Sequence, residues 1–286
     1  MKCFYHDDLD GKAAAFVVAR YEHLCTKSEP TEVVAMNYGK SFPLDVVAPG
    51  ERVWIVDYSI DPLEMITLLD RTCDVVWIDH HKTAIAKYAD FHREIKGIRE
   101  DGTAGCVLAW KFCFPNEPLP RVIELVGDRD VWAWKYGEET ANFCSGAQME
   151  NTHPHSDFWV SMLDHTVGSG ACAARMKVCE RGKTINEYRA QFYADMLKSI
   201  GFEATLDGHS CLCLCAARVG SENFGDSIKE YDICSSFFHD GKQFMVSLYS
   251  EKIDVSEIAK ARGGGGHRGA SGFQCAELPY EEAKNV

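Results

Sequence analysis

Nowhere in the 286 residues does an apolar run approach the roughly 18 to 20 residues needed to cross a bilayer, so no membrane association is expected. Positive charge is also scarce. Thirty Lys and Arg against 43 Asp and Glu leave a formal net charge of −13. That balance argues against a broad duplex-binding surface, which needs clustered cations, and leaves room for a small phosphate-bearing substrate. The 13 cysteines contain no CxxC pair, and the chain is too long for the small secreted domains that depend on disulfides. Met1 to His6 enters a strand-like run without the apolar core of a signal peptide, so a cytoplasmic location is expected. With 46% hydrophobic and 26% charged residues, wholesale disorder is excluded too.

What is present reads as two halves. Met1 to Tyr5, Val33 to Met36, Arg52 to Val56 and Asp74 to Ile78 are strand-like. Between and after them come helical patterns at Lys12 to Cys25, Pro62 to Leu69, Thr83 to Phe91, Thr103 to Phe114 and Arg121 to Val126. Strands alternating with helices predict an α/β fold with a parallel sheet, helices on both faces, and ligands beyond the carboxyl ends of the strands. The charged stretch Cys172 to Ile200 predicts a long connecting helix. After it, Phe202 to Leu206, Cys211 to Ala217, Asp232 to Phe238 and Gln243 to Tyr249 predict strands of a smaller α+β domain, with a helix at Val255 to Ala261. The expected organisation is 1–168, a helical linker 169–201, and 202–286. Alternation would place Cys211, Cys213 and Cys215 on one strand face. A soft-metal site and a buried sheet face both fit, and the buried face is favoured because zinc ligands usually fold a loop around the ion.

Polar clusters follow three of the strands. His6, Asp8 and Asp10 occupy alternate positions and would share a side of an extended segment, with Gly11 permitting a turn into the next helix. Histidine with paired carboxylates suits Mn²⁺ or a similar cation better than Ca²⁺; an acidic helix cap is the competing explanation. Asp57 ends the run Val53 to Val56. Asp79-His80-His81 ends another, and an acid beside two imidazoles can orient one ring for a metal. Asp128 and Asp130 lie in Gly127-Asp128-Arg129-Asp130-Val131-Trp132, either as ligands or as a surface turn. The run Gly263 to Gly266 before His267 and Arg268 could be a linker, or a loop whose backbone approaches phosphate. From Trp134 to Ser169 no motif ties to chemistry; His153, His155 and His165 there are expected to be surface or core residues.

Together these motifs resemble the DHH phosphoesterase superfamily over nearly the whole chain. The segment His6 to Gly11, the Asp57 strand, Asp79 to His81 and Gly127 to Trp132 resemble its four ordered motifs. The glycine-rich stretch resembles the signature of the DHHA1 C-terminal domain. The resemblance implies two divalent ions, Mn²⁺ foremost with Mg²⁺ or Co²⁺ as alternatives. One would be held by His6, Asp8 and a bridging Asp57, the other by Asp10, Asp57, His80 and Asp128. Asp128 is preferred to Asp130 because Trp132 then falls at the family's aromatic position. The resemblance further implies a hydroxide between the metals as nucleophile, His81 on the substrate phosphate or leaving oxygen, and Asp79 acting through its neighbours. Substrate would also be held by Gly264, Gly265, Gly266, His267 and Arg268, across a cleft. The pairing of domains resembles small oligoribonucleases and cyclic-nucleotide phosphodiesterases, implying short oligonucleotides or small nucleotides rather than long duplexes as partners. Phe224, Phe237 and Phe273 are candidates for stacking on a base. A phosphatase acting on pAp, pyrophosphate or polyphosphate is the alternative, and a non-catalytic nucleotide sensor a third. A homodimer is compatible with all of these.

Overall fold

A computed structural model describes residues 1–26, 30–163, 170–217 and 219–282 of the chain. Two compact units emerge, Met1–Ile185 and Asn186–Val286. The boundary expected at 168/169 and His165 lie outside the described residues.

In the first unit β1 (Lys2–His6), β2 (Glu32–Met36), β3 (Val53–Val56) and β4 (Val75–Ile78) form a parallel sheet in the order β2-β1-β3-β4. Parallel neighbours require crossovers. Helix α1 (Leu9–Thr26) links β1 to β2, and α2 (Pro62–Arg71) links β3 to β4. Helix α2 starts where its sequence demands: Pro62 fits the first turn, and Asp61 and Glu64 each accept a backbone N–H in a reciprocal cap. Further helices are α3 (Lys82–Lys87), α4 (Gly105–Cys113), α5 (Arg121–Asp130), α6 (Glu138–Ala147) and α7 (Asp157–Ser161).

The strands are apolar at consecutive positions because both sheet faces are covered. Cys3, Tyr5, Trp54, Val56, Val76 and Ile78 join one core with α1, α4, α5 and α6. Phe4, Val53, Ile55, Val75 and Trp77 join another with Met65, Leu68 and Leu69 of α2. The expected α/β architecture is therefore borne out. One boundary differs with consequence: the periodicity predicts a helix over Arg121 to Val126, yet α5 continues to Asp130. Gly127 does not stop it. A Cβ there would lie 2.6 Å from Val107 Cγ2, so this glycine serves the close packing of α5 on α4.

Helix α8 (Ala171–Ile200) contributes Val178 to the first unit's core, while Tyr193, Met196 and Leu197 pack in the second unit. The second unit contains β5 (Phe202–Leu206), β6 (His209–Cys215), α9 (Ser227–Glu230), β7 (Ile233–His239), β8 (Phe244–Tyr249), α10 (Val255–Lys260), β9 (Gly265–His267), β10 (Ala270–Cys275) and β11 (Glu281–Glu282). Its sheet runs β11-β5-β6-β7-β8-β10-β9, antiparallel except for the β6–β7 pair. Cys211 and Cys213 are buried in this unit's core with their sulfurs 3.5 Å apart, while Cys215 is exposed, so the three thiols do not gather at one site. Phe224, Phe237 and Phe273 are core residues as well. Stacking on a base needs a free ring face, and these three are corrected to structural roles. No helix among the described residues is long and apolar enough to cross a membrane.

Candidate metal centre

The carboxyl ends of β1, β3 and β4 deliver the polar clusters to one edge of the sheet. His6 is the last residue of β1. The alternation of His6, Asp8 and Asp10 does not come from an extended segment, because α1 begins at Leu9 and Asp10 sits in its first turn. Gly11 makes so early a start sterically possible: a Cβ at that position would lie 2.0 Å from the carbonyl oxygen of His6. Gly11 N donates to Asp8 Oδ1 at 2.8 Å and fixes the turn. Asp57 leaves β3 with φ +50°, a left-handed conformation rare outside glycine and asparagine. Asp79 is fully buried; its Oδ1 accepts from His80 N (2.8 Å), His81 N (3.2 Å) and His81 Nδ1 (2.8 Å). It thus orients the His81 imidazole and fixes the backbone from which His80 projects.

Two groups of ligand-type atoms result, His6–Asp8–Asp57 and Asp10–His80–Asp130, and Asp57 also groups with His80 and His81. His80 Nε2 lies 3.1 Å from Asp57 Oδ1, 3.4 Å from Asp130 Oδ2 and 3.9 Å from Asp10 Oδ2. Asp57 Oδ2 lies 3.8 Å from His6 Nδ1. The two oxygens of Asp57 therefore serve different groups. His6 Nδ1 is 2.7 Å from Asp8 Oδ2, but the angles are not those of a hydrogen bond. Among the described residues His6 Nδ1, Asp57 Oδ2, Asp79 Oδ2 and Asp130 Oδ2 are buried without a hydrogen-bond partner. Buried polar atoms are almost always satisfied, so lone pairs converging unpaired fit a pair of cations.

The electrostatics agree. Burial, then the charges of Asp10, Asp8, Asp130 and Asp79, push the Asp57 carboxyl well above the ordinary carboxylate range. Burial and the charges of Asp10 and Asp8 push Asp130 up to about 9. Burial also raises Asp10, although contacts with Cys106 and the charge of His80 oppose it. Burial lowers the His80 pKa. At His81 burial works against the charged form, but the bond to Asp79 and the surrounding carboxylates outweigh it and the pKa rises. Without cations such a site holds protons that binding a metal would expel.

Asp128 stands apart, correcting the preference drawn from the Trp132 spacing. Its carboxylate accepts from Lys135 N (2.7 Å), Tyr136 N (3.3 Å) and the Thr140 hydroxyl (2.5 Å). Because α5 continues through both aspartates, residues two apart point roughly 200° away from each other, and only Asp130 faces His80. Sequence reasoning also missed the first turn of α4. Gly105 N and Cys106 N donate to the two oxygens of Asp10 at 2.7 and 3.0 Å, and a Cβ on Gly105 would lie 2.7 Å from Asp57 Cβ. The small residues Thr103-Ala104-Gly105 ahead of an apolar run were the available signal. Tyr38 was missed too: its ring lies 5.5 Å from that of His6 and 6.1 Å from that of His81.

In the second unit Gly264 and Gly266 are needed for close strand approach. A Cβ on Gly264 would lie 2.1 Å from Gly272 O, and one on Gly266 would lie 2.6 Å from Ala270 O. The hairpin leaves Gly265, His267 and Arg268 exposed, with Arg268 Nη2 donating to Lys252 O at 3.3 Å.

No family model matches the sequence. Among curated proteins the chain is similar to uncharacterized protein R106 of Acanthamoeba polyphaga mimivirus, 22% identical over 242 residues, and spans 56% of that relative's length. Among solved structures it is similar to the DHH domain of a member of a family of ribosomal proteins. The TM-score is 0.57 at 15% identity, over 96% of this chain and 82% of the other. It is also similar to RecJ from Thermus thermophilus in complex with Mn²⁺, with a TM-score of 0.51 at 13% identity, covering 96% of this chain and 49% of that one.

Proposed function

We propose that this chain, which has the fold of DHH-domain proteins, is a divalent-metal-dependent phosphodiesterase cleaving short oligonucleotides or small nucleotides. The observation that carries the reading is the pair of imidazole–carboxylate groups sharing Asp57, with buried ligand atoms left unpaired. RecJ of the same fold holds Mn²⁺, which supports that ion, with Mg²⁺ or Co²⁺ as alternatives. His6, Asp8 and Asp57 would hold one cation; Asp10, Asp57, His80 and Asp130 would hold the other. Cations there would lower the pKa of a water and offset the charge of a phosphate.

The chain's own residues supply the rest. Asp79 holds His81 by its Nδ1, and a third of the His81 side chain is exposed. Because Asp79 takes the Nδ1 side of the ring, a charged His81 can donate from Nε2–H to a phosphate or leaving oxygen. The Gly105 and Cys106 amides keep Asp10 oriented from the buried side. Gly264, Gly265, Gly266, His267 and Arg268 are proposed as further phosphate contacts, chiefly through the exposed Arg268 guanidinium and His267, with Gly264, whose N–H already donates to Ala259 O at 2.9 Å, acting by letting the strands approach.

The test is a Mn²⁺-supplemented panel of dinucleotides, longer RNAs, cyclic nucleotides, pAp and pyrophosphate, with Asp57→Asn as control. Asparagine tolerates the left-handed conformation at 57, so the substitution removes charge with little change of backbone. Dinucleotide or cyclic-nucleotide cleavage, lost in D57N, is the expected result. Turnover of pyrophosphate or pAp alone would replace the diesterase reading by a phosphatase. Substantial D57N activity with two bound Mn²⁺ would remove Asp57 from its bridging place.

A further inference from the structure

The C-terminal end of α5 borders a cavity of about 560 Å³, whose lining includes Asp10, Asp130, Lys12, Arg129 and Trp132. This volume suits a small ligand, and the cavity adjoins the carboxylate cluster within the same unit. Helix α5 closes with Trp132 N donating to Arg129 O (3.2 Å) and Ala133 N donating to Asp128 O (3.0 Å). That pattern demands a left-handed residue at 132, a place glycine usually fills. Here φ is +55° at Trp132 and +52° at Trp134.

Bulky side chains rarely occupy that region, and where they do the strain tends to mark a ligand site. Burial does not account for Trp132, which is 40% exposed. Its ring carries the Arg129 guanidinium at 4.2 Å, and Arg129 also lies 5.1 Å from the Trp134 ring. The two indoles meet edge to face with centroids 5.5 Å apart. Arg129 has no ion pair or side-chain hydrogen bond among the described residues, so its donors are unspent. A planar cation with free donors and an exposed indole thus stand together at the rim of the carboxylate site.

We infer that Arg129 and Trp132 form the specificity platform for a nucleoside. Arg129 takes a phosphate oxygen, and Trp132 stacks on the adjacent base. The inference rests on the phosphoesterase reading and deepens it. An exposed indole is of no use to inorganic polyphosphate, whereas every nucleobase has a face to stack.

The experiment compares full-length protein acting on a 5′-phosphorylated dinucleotide and on the same diester with one base removed, the abasic residue placed at either position. The readout is the ratio of kcat/KM for the two substrates. Wild type favours the base-bearing diester, Trp132→Ala and Trp132→Gly reduce the ratio roughly tenfold through KM, and Trp132→Phe retains most of it. Glycine suits the left-handed position, so W132G keeps a Tm at or above wild type, which separates lost stacking from a damaged backbone. An unchanged ratio in both W132A and W132G overturns the platform. If wild type cleaves neither diester, the diesterase reading falls instead. The same comparison is then made on dissociation constants by calorimetry, where equal wild-type affinity for the two ligands overturns the platform.

Discussion

Asp128 and Asp130 are chemically identical and two residues apart, yet the helix gives them opposite work. Asp128 is buried and anchors two backbone amides and the Thr140 hydroxyl. Removing it strands those donors. Asp128→Ala is therefore expected to destabilise the fold by about 2–3 kcal/mol, since bonds to a charged acceptor are among the stronger ones. Mn²⁺ affinity per folded molecule should stay near wild type. Asp130→Ala should do the reverse, relieving like-charge repulsion while weakening metal binding at least tenfold. Urea unfolding and Mn²⁺ calorimetry on both variants check this; a metal defect confined to D128A would restore the spacing argument. The sign with pH is also fixed. Burial raises the Asp128 pKa, but Thr140 and the Lys135 and Tyr136 amides outweigh it and hold the carboxyl below its ordinary value. A depressed folded-state pKa gives stability that is present above the unfolded value and lost as pH falls through the folded one. The stability gap between wild type and Asp128→Asn should accordingly narrow in acid.

At the scale of elements, the first turn of α4 is the least expected part of the site. Its amides point at Asp10, and its first residue must be glycine because Asp57 and Asp10 crowd the space a side chain would take. Asp10 cannot yield without losing both amide bonds. Gly105→Ala should cost about 1–3 kcal/mol of stability by overpacking and should lower Mn²⁺ affinity and turnover together; wild-type metal binding by a folded G105A protein would show the contact to be slack. The strands were legible from their apolar runs, because a parallel sheet covered on both faces leaves no polar alternation to confuse. The candidate ligands at their ends were legible because a buried strand followed at once by acid or histidine is hard to explain otherwise. What stayed hidden depends on phase around a helix. Nothing local distinguishes a Gly127 that ends α5 from one that packs it on α4, and the choice between Asp128 and Asp130 hung on that. The roles of Gly105 and Cys106 stayed hidden for a related reason: their partner Asp10 is about 95 residues away in sequence.

The molecule as a whole gathers Asp8, Asp10, Asp57, Asp79 and Asp130 at one sheet edge while carrying a net charge of −13. Bringing those charges together opposes folding unless cations or protons offset them, so the first unit should depend on metal for much of its stability. The second unit has its own cores, formed around Leu206, Leu248 and Phe273 and around Leu214 and Phe224, and among the described residues none of the clustered candidate ligands. Calorimetry of the full chain should then resolve two transitions. Saturating Mn²⁺, at about a thousandfold over its dissociation constant, adds roughly 4 kcal/mol to the state that binds it. For a unit of this size that corresponds to a rise of about 8–16 °C. Only the transition of the first unit should move, and excess chelator should reverse it. In Asp57→Asn, which loses the shared carboxylate, the shift should shrink to a fraction of its wild-type size. A single transition that moves as one with Mn²⁺ would mean that the two units unfold together. A metal-insensitive first transition would mean that the carboxylates are neutralised by protons alone, and the cation reading of the site would fall with it.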